Sequence, residues 1–180
     1  AFKMKATGIV RRIDDLGRVV VPKEIRRTLR IREGDPLEIF VEREGEVILK
    51  KYSPIHELGQ FAEEYAKALF DTVQHPVMIT DRDEVIAVSG ESKKEFTEQE
   101  ISTDLNDIIQ ARQPVLHTDK GEFSIIASRA EAVESYCVTP IIANGDPIGC
   151  ILIFSKDSKV GHTEQQLTAA GASFLAQQME

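Results

Sequence analysis

The feature that most restricts this chain is how little sequence precedes the break at Ser53-Pro54. Residues 6–13, Ala-Thr-Gly-Ile-Val-Arg-Arg-Ile, have the β-branched enrichment of a strand, and Arg18-Val19-Val20-Val21 reads as a second strand stopped by Pro22. Asp14-Asp15-Leu16-Gly17 between them is a turn. Pro22 to Arg30 reads as a short helix with the proline at its first position. Leu37, Ile39 and Val41 then alternate with Glu38 and Glu42, Glu44-Gly45-Glu46 turns the chain, and Val47-Ile48-Leu49 completes a β-β-α-β-β order. A segment of this size buries only about 60% of the surface its unfolded chain exposes. With no cysteine pair or metal-ligand cluster to compensate, the expectation is an obligate dimer through this segment.

Charge separates the same segment from the rest. Residues 1–52 carry 13 Lys/Arg against 9 Asp/Glu, a net of +4, whereas residues 53–180 carry 9 against 21, a net of −12. Local potential rather than total charge steers a polyanion, so the first third can meet nucleic acid although the whole chain is acidic. On the helix, Lys23, Arg26, Arg27 and Arg30 fall within an arc of about 100°, and Ile25 and Leu29 point the other way. Arg11, Arg12 and Arg18 lie just upstream. The expected DNA-binding set is therefore Arg11, Arg12, Arg18, Lys23, Arg26, Arg27 and Arg30.

Lys5-Ala6-Thr7-Gly8-Ile9-Val10-Arg11-Arg12, Asp14-Asp15-Leu16-Gly17-Arg18-Val19-Val20-Val21-Pro22, Arg26-Arg27-Thr28-Leu29 and Leu37-Glu38-Ile39 together resemble the AbrB-type transition-state regulators of spore-forming bacteria. The resemblance covers residues 4–52. It implies a swapped-hairpin dimer, in which hairpins of two chains interlock into one small β-barrel. It also implies DNA contacts from Arg11, Arg18, Arg26 and Arg27, with Arg12 close by. The strings Ala143-Asn144-Gly145-Asp146-Pro147-Ile148-Gly149 and Ile153-Phe154-Ser155-Lys156-Asp157 extend it to sporulation regulators whose second domain is of the GAF type.

Residues 55–180 read as that second domain. Leu58, Phe61, Ala62, Tyr65, Ala66, Leu69 and Val73 recur at three-and-four spacing, and Leu167, Ala170, Phe174, Leu175 and Met179 repeat it near the other end. These helices, 55–74 and 162–180, either cover one face of their own sheet or pair with a second copy, and the GAF resemblance favours pairing. Strands are expected at 77–80, 85–88 and 123–126, a helix at 98–113, and a hairpin of 136–143 with 148–155 around Asn144-Gly145, the strongest short hairpin signal. The fold class is α+β: a small swapped-hairpin barrel, then a GAF-like α/β sandwich with an antiparallel sheet.

Catalytic constellations are missing from the sequence, and no enzyme activity or cofactor is expected. His56, His75, His117 and His162 are scattered rather than spaced as metal ligands, and no glycine-rich phosphate loop occurs. Cys137 and Cys150 fall in central strands; a two-residue turn at Asn144-Gly145 sets Cys137 opposite Leu152, and both thiols are expected as small buried apolar groups. Asp81 and Asp83 are read as a turn. GAF domains commonly hold a small molecule, so the resemblance allows an effector lined from the 85–112 segment and the central strands; a purely oligomerising domain is the alternative. No apolar run reaches the roughly 20 residues of a membrane helix, and the start, Ala1-Phe2-Lys3-Met4, lacks the pattern of a secretory signal, with Met4 read as the natural first residue. A cytoplasmic, nucleoid-associated location is expected, in the forespore by family resemblance.

The expected function is a DNA-binding transcriptional regulator of sporulation genes, double-stranded DNA being the partner. Two dimer contacts, one per domain, joining different pairs of chains would build a tetramer. The alternative is a protein-binding module, because antitoxins use a similar first domain; an antitoxin should follow it with a short disordered acidic tail. Residues 55–180 show periodic elements instead.

Overall fold

The computed structural model describes residues 7–180; Met4 and the start of the first expected strand lie outside the described residues. The chain divides into two units between Tyr52 and Ser53.

In the first unit, α1 (Lys23–Leu29) is seven residues long. Pro22 sits one position ahead of it rather than inside it: its ψ of 148° is extended, and its carbonyl accepts the Arg26 N–H at 3.0 Å. Arg30 stops the helix by turning left-handed (φ 55°), so that the Ile31 N–H reaches the Arg26 carbonyl at 2.8 Å. β1 (Leu37–Val41) and β2 (Val47–Lys51) pair antiparallel around Gly45, whose φ of 83° only glycine adopts freely.

The strand pair expected at 6–13 and 18–21 is not formed within the single chain. Only its turn is closed, by the Asp14 N–H on the Arg18 carbonyl at 2.9 Å with Gly17 at φ 77°. Among the described residues the extended arms join no ladder. Among the described residues of this unit, thirteen large apolar side chains are exposed, including Val10 at 85% and Val41 at 77%. The expected hidden face of α1 is also open: Ile25 is half-buried and Leu29 is 51% exposed.

The second unit buries its own core. Its elements are α2 (Pro54–Glu57), α3 (Gly59–Val73), β3 (Val77–Asp81), β4 (Val85–Ser89), α4 (Lys93–Phe96), α5 (Thr103–Ala111), β5 (Val115–His117), β6 (Gly121–Ile126), β7 (Arg129–Val133), β8 (Ser135–Ala143), β9 (Asp146–Ser155) and α6 (His162–Gln177). Five strands form one antiparallel sheet in the order β4-β3-β9-β8-β5, and β6 and β7 make a separate hairpin. α3 and α6 lie on one face, burying Ala62, Ala66 and Leu69 beside Ala172, Leu175 and Ala176. α4, α5 and the β6–β7 hairpin close the other, where Phe96, Leu105 and Ile109 meet Val138, Leu152 and Phe154.

Local chemistry sets several boundaries. Pro54 opens α2 behind Ser53, whose Oγ accepts the His56 N–H at 3.1 Å and donates to Asp81 at 2.9 Å. Ser102 accepts the Leu105 N–H at 3.0 Å and caps α5, so the helix expected from residue 98 begins only at Thr103. Asn144 (φ 50°) and Gly145 (φ 81°) form the expected hairpin turn, both with positive φ. Beyond it the register shifts: Ile142 pairs with Pro147 but Ile141 pairs with Gly149, leaving Ile148 as a bulge. Cys137 therefore faces Ile153, not Leu152, and Cys150 faces Pro140.

At Gly149, β9 packs tightly against β3. A Cβ there would fall on the Thr80 carbonyl oxygen and within 3.0 Å of the Asp81 Cα. Gly149→Ala should lower the stability of the second unit by about 3 kcal/mol, the upper end for overpacking; thermal melting of the full chain checks it. Asp81 Oδ1 accepts the Asp83 and Glu84 N–H groups at 2.7 and 2.8 Å, the turn expected of these carboxylates. Burial, and then the charge of Asp81, push the Glu84 carboxyl above its ordinary value, against the pull of His56. The folded state thus retains a proton that the unfolded chain has released, and the bare charge is a cost at higher pH. Glu84→Gln should raise the melting temperature at neutral pH, with the gain vanishing below the ordinary value of 4.5; a gain independent of pH would contradict this origin.

Candidate nucleic-acid interface

All seven expected cationic residues are exposed on the first unit. Arg11 and Arg12 lie on the arm before the turn, Arg18 just after it, and Lys23, Arg26 and Arg27 on α1. Arg26 Nε donates to the Val21 carbonyl at 3.1 Å, tying the helix back to the arm that precedes it. Arg30 leaves the helical arc, since its backbone is left-handed, and its carbonyl accepts from Lys51 Nζ at 3.3 Å. The aligned helical cations are thus Lys23, Arg26 and Arg27.

Arg18 is organised differently. Its Nε donates to Asp14 Oδ2 at 2.8 Å, and its backbone N–H donates to Asp14 Oδ1 at 2.8 Å. The Leu16 N–H shares Oδ1 at 2.9 Å. The Arg18 backbone N–H, more than any other group, holds the Asp14 carboxyl below its ordinary value; desolvation opposes it, and the Arg18 guanidinium and the Leu16 N–H add to the lowering. The side chains remain open to water, at 69% for Arg18 and 36% for Asp14. Reading the sequence for cations passed over Asp14; the signal that could have found it is an Asp three residues before a turn glycine and four before an arginine.

The second unit offers a different kind of site. The face of its sheet closed by α4, α5 and the β6–β7 hairpin holds an apolar cluster in which Phe96 is fully buried. Arg129 lies 4.8 Å from the Phe96 ring centroid and pairs with Glu131 at 2.6 Å and Glu95 at 3.2 Å, fastening α4 to β7. Among the described residues every buried side-chain polar atom has a hydrogen-bond partner. Cys137 and Cys150 are buried on opposite faces of the sheet, and burial pushes both thiols up to about 12. They are protonated at neutral pH and unsuited to nucleophilic chemistry. No helix among the described residues is long and apolar enough to cross a membrane.

Comparison with known proteins adds the lineage. The family profile "Stage V sporulation protein T C-terminal, transcription factor" matches residues 57–180, and "Antidote-toxin recognition MazE, bacterial antitoxin" matches residues 10–55. Stage V sporulation protein T of Bacillus subtilis (strain 168) is 61% identical over 177 residues, covering 98% of this chain and 99% of that protein. The transition state regulatory protein AbrB of the same organism is 65% identical over 51 residues, 28% of this chain and 52% of that one. The GAF domain of an Acinetobacter phosphoenolpyruvate-protein phosphotransferase superposes with a TM-score of 0.54 at 12% identity, over 67% of this chain and 80% of that domain, which establishes the GAF fold. With an AbrB-like first unit, a GAF-fold second unit and this degree of identity over nearly its whole length, the chain belongs to the stage V sporulation protein T family of transcription factors.

Proposed function

We propose that this transcription factor regulates sporulation genes by gripping double-stranded DNA with a doubled copy of its first unit. One observation carries the reading: the unit leaves both its apolar side chains and its guanidinium groups in water. The first need a second copy of the chain to cover them, and the second suit a polyanion. The open arms at 7–13 and 18–21 have the extended form that a partner's hairpin would complete. The acidic second unit, net −12 over residues 53–180, is repelled by phosphate and leaves the DNA contact to Arg11, Arg12, Arg18, Lys23, Arg26, Arg27 and Arg30.

The outward edge of the α3–α6 pair supports a second contact. Phe61 and Phe174 are about 40% exposed and stack at 5.6 Å, with Tyr65 6.2 Å from Phe174. Two such edges meeting in a four-helix contact, together with the paired first units, would make a tetramer. The apolar cluster around Phe96, closed by the Arg129 pairs, favours oligomerisation over effector binding as the role of the second unit. The match of residues 10–55 to an antitoxin family raises the protein-binding alternative. That role calls for a tail that folds on its partner, whereas residues 53–180 already form a sheet covered on both faces.

Replacing Arg26 and Arg27 together by Ala should abolish DNA binding while leaving the oligomer folded; undiminished binding in that variant would dispose of the assignment. If Arg11, Arg18, Arg26 and Arg27 of two chains each engage a phosphate, log affinity should fall with log salt at a slope of roughly −7. Light scattering on residues 53–180 alone should give a dimer, reduced to monomer by Phe61→Ser with Phe174→Ser. A monomeric unmodified fragment would end the tetramer.

A further inference from the structure

The pair formed by Asp14 and Arg18 distinguishes that arginine chemically from Arg26. Both are held through Nε, Arg18 by a carboxylate at 2.8 Å and Arg26 by the Val21 carbonyl at 3.1 Å. A guanidinium fixed at Nε still presents its Nη1 and Nη2 groups as a two-pronged donor edge. Beside Arg26 that edge carries a full positive charge and suits a phosphate. Beside Arg18 the charge is balanced by Asp14, and Asp15 adds another carboxylate on the same exposed turn. A phosphate approaching Arg18 meets like charge, whereas the O6 and N7 atoms of guanine are neutral acceptors matched to the prongs. The Arg18 backbone strengthens the arrangement, because its N–H donates to the Asp14 carboxylate at 2.8 Å and its carbonyl accepts the Asp14 N–H at 2.9 Å.

Resting on the proposed DNA-binding role, we propose that Asp14 is a positioning residue that turns Arg18 from a phosphate contact into a reader of guanine in the major groove. Asp14 does not touch DNA in this arrangement; it sets the direction of the Arg18 fork and withdraws its charge from the phosphate count. Two fewer cations per dimer then release counterions, and the salt slope is roughly −5 rather than −7.

The test uses the full-length protein and a duplex selected by it from random-sequence DNA, with a duplex of unselected sequence as the non-specific reference. Asp14→Asn keeps an oxygen for the Leu16 and Arg18 N–H groups but loses the carboxylate. It should bind the unselected duplex more tightly, steepen the salt slope by about 2 per dimer, and lower the ratio of selected to unselected affinity about tenfold, within the range of one lost bidentate base contact. Replacing a selected guanine by 7-deazaguanine, which removes N7 and leaves every phosphate, should weaken the unmodified protein similarly and the variant little. Arg18→Lys retains charge without a fork, so it should lose the same discrimination, and it tests the idea independently if Asp14→Asn proves unstable. A variant that weakens selected and unselected binding in parallel, or leaves slope and ratio unchanged, overturns the positioning role while DNA binding stands. An unmodified protein that binds neither duplex removes the underlying reading as well.

Discussion

Covering apolar surface is the constraint on which the first unit depends. In a self-sufficient domain such side chains turn inward and their burial offsets the entropy of ordering the chain. Here Val10, Ile13, Val20, Leu29, Ile39 and Val41 stay exposed around one helix and one hairpin. The local structure is nonetheless well specified: Gly17 and Gly45 close two turns by the same device, an N–H of the residue before the turn on the carbonyl four residues later. Secondary structure is settled within the chain, and the core is not.

The second unit shows the contrast. Its sheet is apolar on both faces, so each face must be roofed, and the two roofs are unlike. Long helices with small residues lie close on one side, Gly171 making room for the Tyr65 ring. On the other, a four-residue helix and a hairpin are fastened by Arg129 between Glu95 and Glu131. The first roof leaves an aromatic edge outside. The second closes over a buried apolar cluster around Phe96.

Much of this was legible in the residues. The Asn144-Gly145 turn, the periodic runs that became α3 and α6, and the clustered cations of α1 depend on local preferences that a sequence displays directly. What could not be read depends on geometry between elements. The bulge at Ile148 lies in the β8–β9 pairing beside the close approach of Gly149 to β3, and it moved the partner of Cys137 by one residue. β5 is only three residues long, and β7 contains Glu131, a charge that looks exposed until Arg129 covers it. The open Leu29 looked buried because periodicity names an apolar face without saying which molecule covers it. Asp14 was passed over for a similar reason: a carboxylate among arginines lowers a charge count, and its hold on Arg18 appears only once the turn is folded.

The uncovered apolar face of the first unit also bears on how steeply such a regulator can respond. A binding surface finished only by a second copy of the chain is populated in proportion to the square of free chain concentration while dimers are scarce. Doubling the free chain then quadruples the competent species, and halving it leaves a quarter. A gradual rise in expression would be converted into an abrupt change of gene programme, with no ligand required to set the threshold.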